Sequence, residues 1–385
     1  MLYRQFGKLD WKVSALGFGA MRLPVLGNDP FTSPVNEAEA IKMIRLAIDH
    51  GVNYLDTAYS YHEGNSERIV GKALQDGYRD KIRVATKLPV GMINKREEVD
   101  RIFNTQLERL RTHKINFYLL HGLNKETWKK AQDWQLIPWA ESKLAAGQID
   151  HLGFSFHDDF AVFKEIIDNY DNWTLAQIQY NYVDVNFQAG RRGVEYAGAK
   201  GLAIVVMEPL RGGMITKTPP EKVAKVWETD PHNRSLAERG LLWVWNQPEI
   251  SVVLSGMSTI EQVRENLAIA DRSEPGKLTR QELVRYDRAR KIYKSLNPVP
   301  CTGCHYCAPC PNGVDIPGIF ELFNNVTVYD EPRLAKLRYQ SVPPRGMKPE
   351  NKADHCTECR NCVDKCPQKI DVPDWLKKAH HKLIS

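Results

Sequence analysis

One pattern recurs eight times between residues 13 and 257. A short run rich in Val, Ile and Leu ends in a polar or small residue, and an amphipathic helical stretch follows. The runs are VSALGFG ending at Gly19, VNYLDT at Thr57, IRVATK at Lys87 and INFYLLH at His121. They continue with HLGFS ending at Ser155, LAQIQYN at Asn181, AIVVMEPL at Leu210 and SVVLSGM at Met257. Their hydrophobicity is continuous rather than alternating, which predicts strands buried on both faces. The segments between them carry helix signals. Asn36 can cap a helix whose Ile41, Ile44 and Ile48 share one face, and Gly51 can stop it. Val99, Ile102, Phe103, Leu107 and Leu110 repeat the spacing, as do Ile260, Val263, Leu267 and Ala270.

Eight strand–helix alternations over roughly 280 residues match an α/β chain folded as a (β/α)8 TIM barrel. A doubly wound open sheet is the competing arrangement. It usually has fewer strands and a glycine fingerprint after the first, and no G-x-G-x-x-G follows any strand here. Leu2 to Val13 is expected to form a hairpin across the barrel bottom. Trp128, Trp134 and Trp139 follow the fourth run at spacings suited to helix packing.

Composition narrows the class. The chain has 385 residues, of which 42% are hydrophobic and 26% charged, too apolar for a disordered protein. No uncharged apolar run approaches the ~18 residues of a membrane helix. The opening MLYRQFGKLDW lacks the apolar core of a signal peptide, so a cytoplasmic location is expected. The net charge of +6 comes from scattered Lys and Arg, so neither a nucleic-acid partner nor a membrane is expected.

All eight cysteines lie in the last quarter of the chain, in a stretch rich in Pro, Gly and polar residues. A disulfide scaffold would be short and secreted, and this chain is neither. Cys356, Cys359, Cys362 and Cys366, followed by Pro367, have the C-x2-C-x2-C-x3-C-P spacing of bacterial ferredoxins. Cys301, Cys304, Cys307 and Cys310, followed by Pro311, depart from it by one residue. Two-cluster ferredoxins exchange the fourth cysteine of each run. That rule gives one [4Fe–4S] cluster on Cys301, Cys304, Cys307 and Cys366, and a second on Cys356, Cys359, Cys362 and Cys310. A pair of zinc ribbons is the alternative, but a ribbon needs only two cysteines per knuckle. The sequence thus divides into residues 1–296, a barrel, and residues 297–385, a small ferredoxin-like dicluster domain. The tail carries few aliphatics, and metal is expected to stand in for a core. His380 and His381 are expected to be solvated.

Chemistry in such a barrel collects at the C-terminal ends of the strands. Those ends hold Asp56, Lys87 and His121, with Tyr61 in the loop after Asp56. A Tyr hydroxyl is a poor acid at neutral pH unless a cation stabilises its phenolate. Lys87 supplies the cation, Asp56 holds the lysine in place, and His121 can orient a carbonyl. The group suits reduction of C=O, with Tyr61 protonating the oxygen. Each residue alone has an ordinary structural reading; the set at three successive strand ends does not.

The strings NYLDTAYSY, GNSE, ATK and YLLHG, with LGFS, QIQYN and MEPLRGG further on, resemble the aldo-keto reductases over roughly residues 1 to 295. That family's Asp, Tyr, Lys and His tetrad falls on Asp56, Tyr61, Lys87 and His121. The tail string PCTGCHYCAPCP resembles the branch that carries a C-terminal 4Fe–4S domain. The resemblance implies an NAD(P)H-dependent enzyme acting on a small-molecule carbonyl or alcohol. It places the nicotinamide carboxamide at Ser155 and Gln177, beneath Met207. It places the pyrophosphate near Pro209, Leu210, Gly212 and Gly213. The adenosine end falls near Ser255, Gly256, Met257, Gln262 and Asn266. Three departures stand out. Phe156 and His157 follow Ser155 where an Asn is common, Met207 replaces a stacking aromatic, and Gly256 and Gln262 stand where cations grip the NADP 2′-phosphate. NADH and NADPH both remain open, with Arg264 and Arg211 as substitute cations.

Nicotinamide moves a hydride, whereas such clusters move single electrons. Coupling them requires a flavin, for which no motif is present, or a redox partner protein. Uncoupled clusters would be folding metals. The rival reading is an iron–sulfur electron-transfer protein whose barrel is a docking or nucleotide-sensing scaffold.

Overall fold

The eight apolar runs pair with one another in chain order. The computed structural model describes residues 1–27, 33–301, 303, 306–329, 332–340 and 347–385. Two short strands come first, β1 (Tyr3–Gln5) and β2 (Lys12–Ser14), paired antiparallel with Arg4 opposite Val13. Eight strands follow: β3 (Leu16–Gly19), β4 (Tyr54–Asp56), β5 (Arg83–Leu88), β6 (Ile115–Leu123), β7 (Ile149–Phe156), β8 (Leu175–Gln179), β9 (Ala203–Met207) and β10 (Ile250–Ser255). Each pairs in parallel with the next, and β10 returns to β3, closing the barrel. The open doubly wound sheet is thereby excluded.

Helices cover the outside, starting where the sequence signals them. Asn36 caps Glu37–Asp49 by accepting from the amide of Glu39 at 3.3 Å, and Gly51 takes φ +93° just beyond its end. Val99, Ile102, Phe103 and Leu110 form the buried face of Glu98–Leu110. Trp128 and Trp139 are buried as expected, while Trp134 is half-buried beneath the Lys130 ammonium.

Inside the barrel, the period of two decides what faces inward. Tyr54, Ala85, Phe117, Leu119, Leu175, Ala203, Val205, Val252 and Leu254 make an apolar plug. The β1–β2 hairpin closes it from below, with Phe6 packed on Phe117 and Tyr54 at ring distances of 4.8 and 5.8 Å. Continuing the same inward parity to the strand ends gives Asp56 above Tyr54, Lys87 above Ala85 and His121 above Leu119. Gln177 follows above Leu175, and Met207 above Val205. A polar layer therefore sits on an apolar plug, which is the condition for charged groups to be both buried and reachable.

The described chain forms two compact units, Met1–Gly212 with Arg234–Thr279 and Gly213–Asn233 with Arg280–Ser385. The second unit corrects one expectation. The tail does build a core, from Val299, Ile319 and Phe320 with Tyr339, Val372, Leu376 and Leu383, all buried. Most of its apolar residues are spread over three helices, Ile316–Tyr329, Pro332–Gln340 and Val372–Ile384, which are separated in sequence by the second cysteine run and pack together in space. His380 is not simply solvated either: its Nδ1 lies 2.7 Å from the Tyr339 hydroxyl, whereas His381 is exposed.

Candidate functional site

The polar layer is organised around one ammonium. Lys87, near the end of β5, is 1% exposed, and its Nζ donates to Asp56 Oδ1 at 2.6 Å and to the Thr57 carbonyl at 2.7 Å. Its third donor points at the Tyr61 hydroxyl, 3.5 Å away. A lone buried cation would cost several kcal/mol, and here Asp56 offsets it with good geometry. The Tyr61 ring meets the His121 ring edge-on, at 6.0 Å between centroids. Asp56, Lys87, Tyr61 and His121, named from sequence, thus come together in the barrel mouth. Asp56 also accepts a long bond from Gln177 Nε2, at 3.4 Å.

Burial shifts these groups in different directions. It raises Asp56, with Lys87 pulling back toward the charged form. It pulls Lys87 down, but Asp56 and Tyr61 outweigh it and the ammonium ends above its usual value, so it stays charged. It lowers His121 far below the ordinary imidazole range, assisted by Lys87 and His157, so His121 is neutral at pH 7. Tyr61 corrects an expectation. Burial raises the phenol more than Lys87 lowers it, so it lies above its usual value. Lys87 limits the rise and does not make the phenol acidic at rest.

Tyr61 is presented by a tight turn. His62 and Glu63 adopt φ +49° and +58°, and Gly64 follows at φ +90°. Left-handed backbone costs a non-glycine residue about 1–2 kcal/mol, so the surroundings must hold this turn. One tie is the His62 ring, whose Nε2 accepts from the amide of Leu23 at 3.2 Å.

The residues expected at the cofactor lie along β7 to β10. Ser155 and Gln177 are opposite one another in register, and both are 1% exposed. Ser155 Oγ accepts from the amide of Gly122 at 2.8 Å. Gln177 Oε1 is buried and has no hydrogen-bond partner among the described residues, an orphaned acceptor beside the tetrad. Met207 ends β9; Pro209 is buried, and Leu210 and Gly212 are half-buried. Gly213 belongs to the second unit. Ser255 is held by Asn266 Nδ2 at 2.7 Å, Met257 is buried, and Gln262 accepts from the amide of Ser258 at 2.8 Å. Arg211 is committed to Asp184, 2.8 Å away, and Arg264 is exposed.

Sequence reasoning missed Arg22. It follows β3, and its side chain lies against two of the expected cofactor glycines. A Cβ on Gly256 would come within 3.1 Å of its Cδ, and one on Gly212 within 3.0 Å of its Nη2. Its guanidinium is 3.8 Å from Glu208. The sequence signal was a lone basic residue after the first barrel strand, separated by almost the whole barrel from the glycines it meets.

In the second unit, Cys307, Cys310, Cys356, Cys359 and Cys362 line one cavity of about 280 Å³. Burial raises the Cys362 thiol, and Cys356, Cys359 and Cys310 add to the rise, which brings Cys310 of the first run among three cysteines of the second. Asn312 Nδ2 donates to Thr357 Oγ1 at 2.8 Å, tying the two runs together. Asn324 brackets the backbone of Val299, with bonds of 3.1 and 2.8 Å, fixing the start of the first run on helix Ile316–Tyr329. Cys301 and Cys366 pack against the same apolar core, and Cys304 lies outside the described residues. Among the described residues, no three His, Cys, Asp or Glu side chains converge at the spacing of a single ion.

A profile described as the Aldo/keto reductase family matches residues 15–287. The chain belongs to the aldo/keto reductase family. A 4Fe-4S dicluster domain profile matches residues 300–370. Among relatives, this aldo/keto reductase is 28% identical to L-galactose dehydrogenase of Arabidopsis thaliana, over 76% of this chain and 95% of that one. It is 24% identical to methylglyoxal reductase of Escherichia coli, over 70% and 92%. Among solved structures, the holo form of an aldo-keto reductase from Bacillus halodurans is 27% identical, with TM-score 0.59, covering 75% of this chain and 96% of that one. An aldo-keto reductase from Klebsiella pneumoniae in complex with NADPH shares the fold at 22% identity and TM-score 0.57, over 75% and 95%. Among the described residues, no helix is long and apolar enough to cross a membrane.

Proposed function

We propose that this chain is an NAD(P)H-dependent carbonyl reductase, or the reverse alcohol dehydrogenase, with its chemistry at the barrel mouth. The carrying observation is the Tyr61 hydroxyl, 3.5 Å from a buried ammonium that is itself 2.6 Å from Asp56. When bound, the nicotinamide supplies a hydride to the carbonyl carbon. Tyr61, protonated at neutral pH, gives its proton to the carbonyl oxygen as negative charge builds there. Lys87 accommodates the phenolate left behind, and Asp56 keeps Lys87 fixed and charged. Neutral His121 orients the carbonyl without competing for the proton. The orphaned Oε1 of Gln177 suits a carboxamide N–H, and Ser155 would hold the same group. Arg22, between Gly212 and Gly256, suits the phosphates of the nucleotide and partly answers the missing cation at Gly256 and Gln262. NADH and NADPH are both compatible with it.

The tail would hold two [4Fe–4S] clusters, on Cys301, Cys304, Cys307 and Cys366 and on Cys356, Cys359, Cys362 and Cys310. Thiols spread around a cavity, with no single-ion convergence among the described residues, suit a cluster better than zinc. The clusters would supply one-electron chemistry, through a redox partner protein or an added flavin.

Tyr61→Phe tests the reading. Turnover of NAD(P)H with a panel of aldehydes, ketones and quinones should fall by about 10²–10⁴, with nucleotide affinity unchanged. Undiminished turnover would remove Tyr61 from the mechanism.

A further inference from the structure

Beyond the tetrad, a second buried charge lies behind the site. Helix Asn65–Ala73 begins directly after the Tyr61 turn, and its Glu67 carboxylate is fully buried. Thr86 Oγ1 donates to Glu67 Oε1 at 2.6 Å, Gln106 Nε2 to the same oxygen at 2.7 Å, and Arg109 Nη1 to Oε2 at 3.2 Å. The first two partners lead to Lys87. Gln106 also donates to the Lys87 carbonyl at 3.0 Å, and Thr86 is its chain neighbour. Arg109 leads to Tyr61. It donates to the Tyr59 carbonyl at 3.1 Å, lies 4.5 Å over the Tyr59 ring, and fills the space beside Gly64, where a Cβ would come within 2.7–2.8 Å of the guanidinium. One chain of hydrogen bonds, charge-assisted at Glu67 and Arg109, therefore runs from the Lys87 carbonyl to the Tyr59 carbonyl, with the guanidinium packed beside Gly64 on the other side of Tyr61.

We propose that Glu67 is a positioning residue for Tyr61, acting through Arg109 to hold the left-handed turn at the distance from Lys87 that proton transfer needs. A role confined to packing would require only the Thr86 and Gln106 bonds, which join helix to strand. The Arg109 arm adds nothing there; it grips the turn before Tyr61 and after it. The inference rests on the reading of Tyr61 as the proton donor.

Glu67→Gln is the direct test. It keeps the size of the side chain and an oxygen for Thr86 and Gln106, while removing the charge that holds Arg109. We expect kcat for carbonyl reduction to fall by about 10-fold or more, with KM and nucleotide affinity within about two-fold. The basic limb of the kcat–pH profile should move as well, which a packing residue would not cause. In a Tyr61→Phe background the same change should alter residual turnover by less than about two-fold, because the two residues act as one unit. Arg109→Lys preserves the buried pair but cannot also span to Tyr59. It should give a smaller loss with the same signature, and it carries the test if Glu67→Gln does not fold. A normal kcat and pH profile in the variant that folds, or a loss that adds fully to Tyr61→Phe, overturns the inference. If Tyr61→Phe alone leaves turnover intact, the proton-donor reading fails instead.

Discussion

The barrel mouth and the cysteine cavity are both polar sites built on apolar cores, but they reach completion by different means. In the barrel, opposite charges face one another. Lys87 and Asp56 are nearly inaccessible and 2.6 Å apart, so the buried charges balance one another. In the tail, thiols face thiols. Burial raises the Cys362 thiol, and Cys356, Cys359 and Cys310 add to the rise, so each thiol that ionises makes the next harder to ionise. A ring of like charges calls for a cation at its centre, whereas a ring of alternating charges does not. In the proposed reading, one half of the molecule is preorganised for an organic reactant and the other, which matches a 4Fe-4S dicluster domain, takes metal.

Removing the balancing charge from the barrel should produce the largest effect. Lys87→Met leaves Asp56 buried and unpaired, which should cost about 3–5 kcal/mol of barrel stability by thermal or denaturant unfolding. Turnover should fall at least as far as in Tyr61→Phe. A barrel of unchanged stability would break the contrast, since it would mean that the buried pair is not what completes the site.

The tail offers the opposite test. Cys310→Ser should remove about four of about eight iron atoms per chain, read by iron and sulfide analysis of anaerobic protein. The barrel's nucleotide affinity should stay within about two-fold. Retention of all the iron would show that Cys310 does not cross to the second run.

Arg22→Ala sharpens the comparison within the barrel by removing a charge that has a partner in Glu208 but whose proposed use is a ligand. Nucleotide affinity should weaken by about 10-fold by calorimetry, with little change in unfolding. An unchanged affinity would leave Arg22 a structural residue.

A smaller effect comes from pH. His121 is held below its usual value in the folded barrel, so the unfolded chain binds more protons between the two values. Stability is therefore complete above about pH 6.5 and declines as pH falls, by at most about 1.4 kcal/mol per unit from this residue. Replacing His121 by Asn should flatten that part of the stability–pH curve. On the basic side, kcat/KM should hold through neutral pH and fall only above the ordinary tyrosine range, because Tyr61 is raised.

The barrel was legible in sequence because parallel strands are buried on both faces and read as unbroken apolar runs, and because the tetrad sits at the ends of consecutive runs. Asp56, Lys87 and His121 follow from strand parity alone. Two things escaped. Arg22 and Glu67 meet partners about 190 or more and about 19–42 positions away respectively, and neither has a spacing that marks it. GNSE was visible as a string, but its glutamate gains meaning only when Arg109 and Gln106 converge on it. The tail core escaped for a related reason. Ile319, Phe320, Leu376 and Leu383 are ordinary helix-face residues in separate segments, and the Pro- and Gly-rich cysteine loops between them dominate the local composition. Burial of the phenol was also invisible, which is why the expected acidification of Tyr61 gave way to a raised value.

In the proposed reaction the barrel mouth transfers hydride directly, with the clusters outside that step. Anaerobic turnover with NAD(P)H carrying deuterium at the transferable C4 position, followed by mass and NMR analysis of the alcohol, tests it most directly. Direct transfer leaves one deuterium on the former carbonyl carbon and hydrogen from solvent only on the oxygen. Solvent hydrogen on that carbon, with the label lost, would contradict it and pass the electrons through the iron.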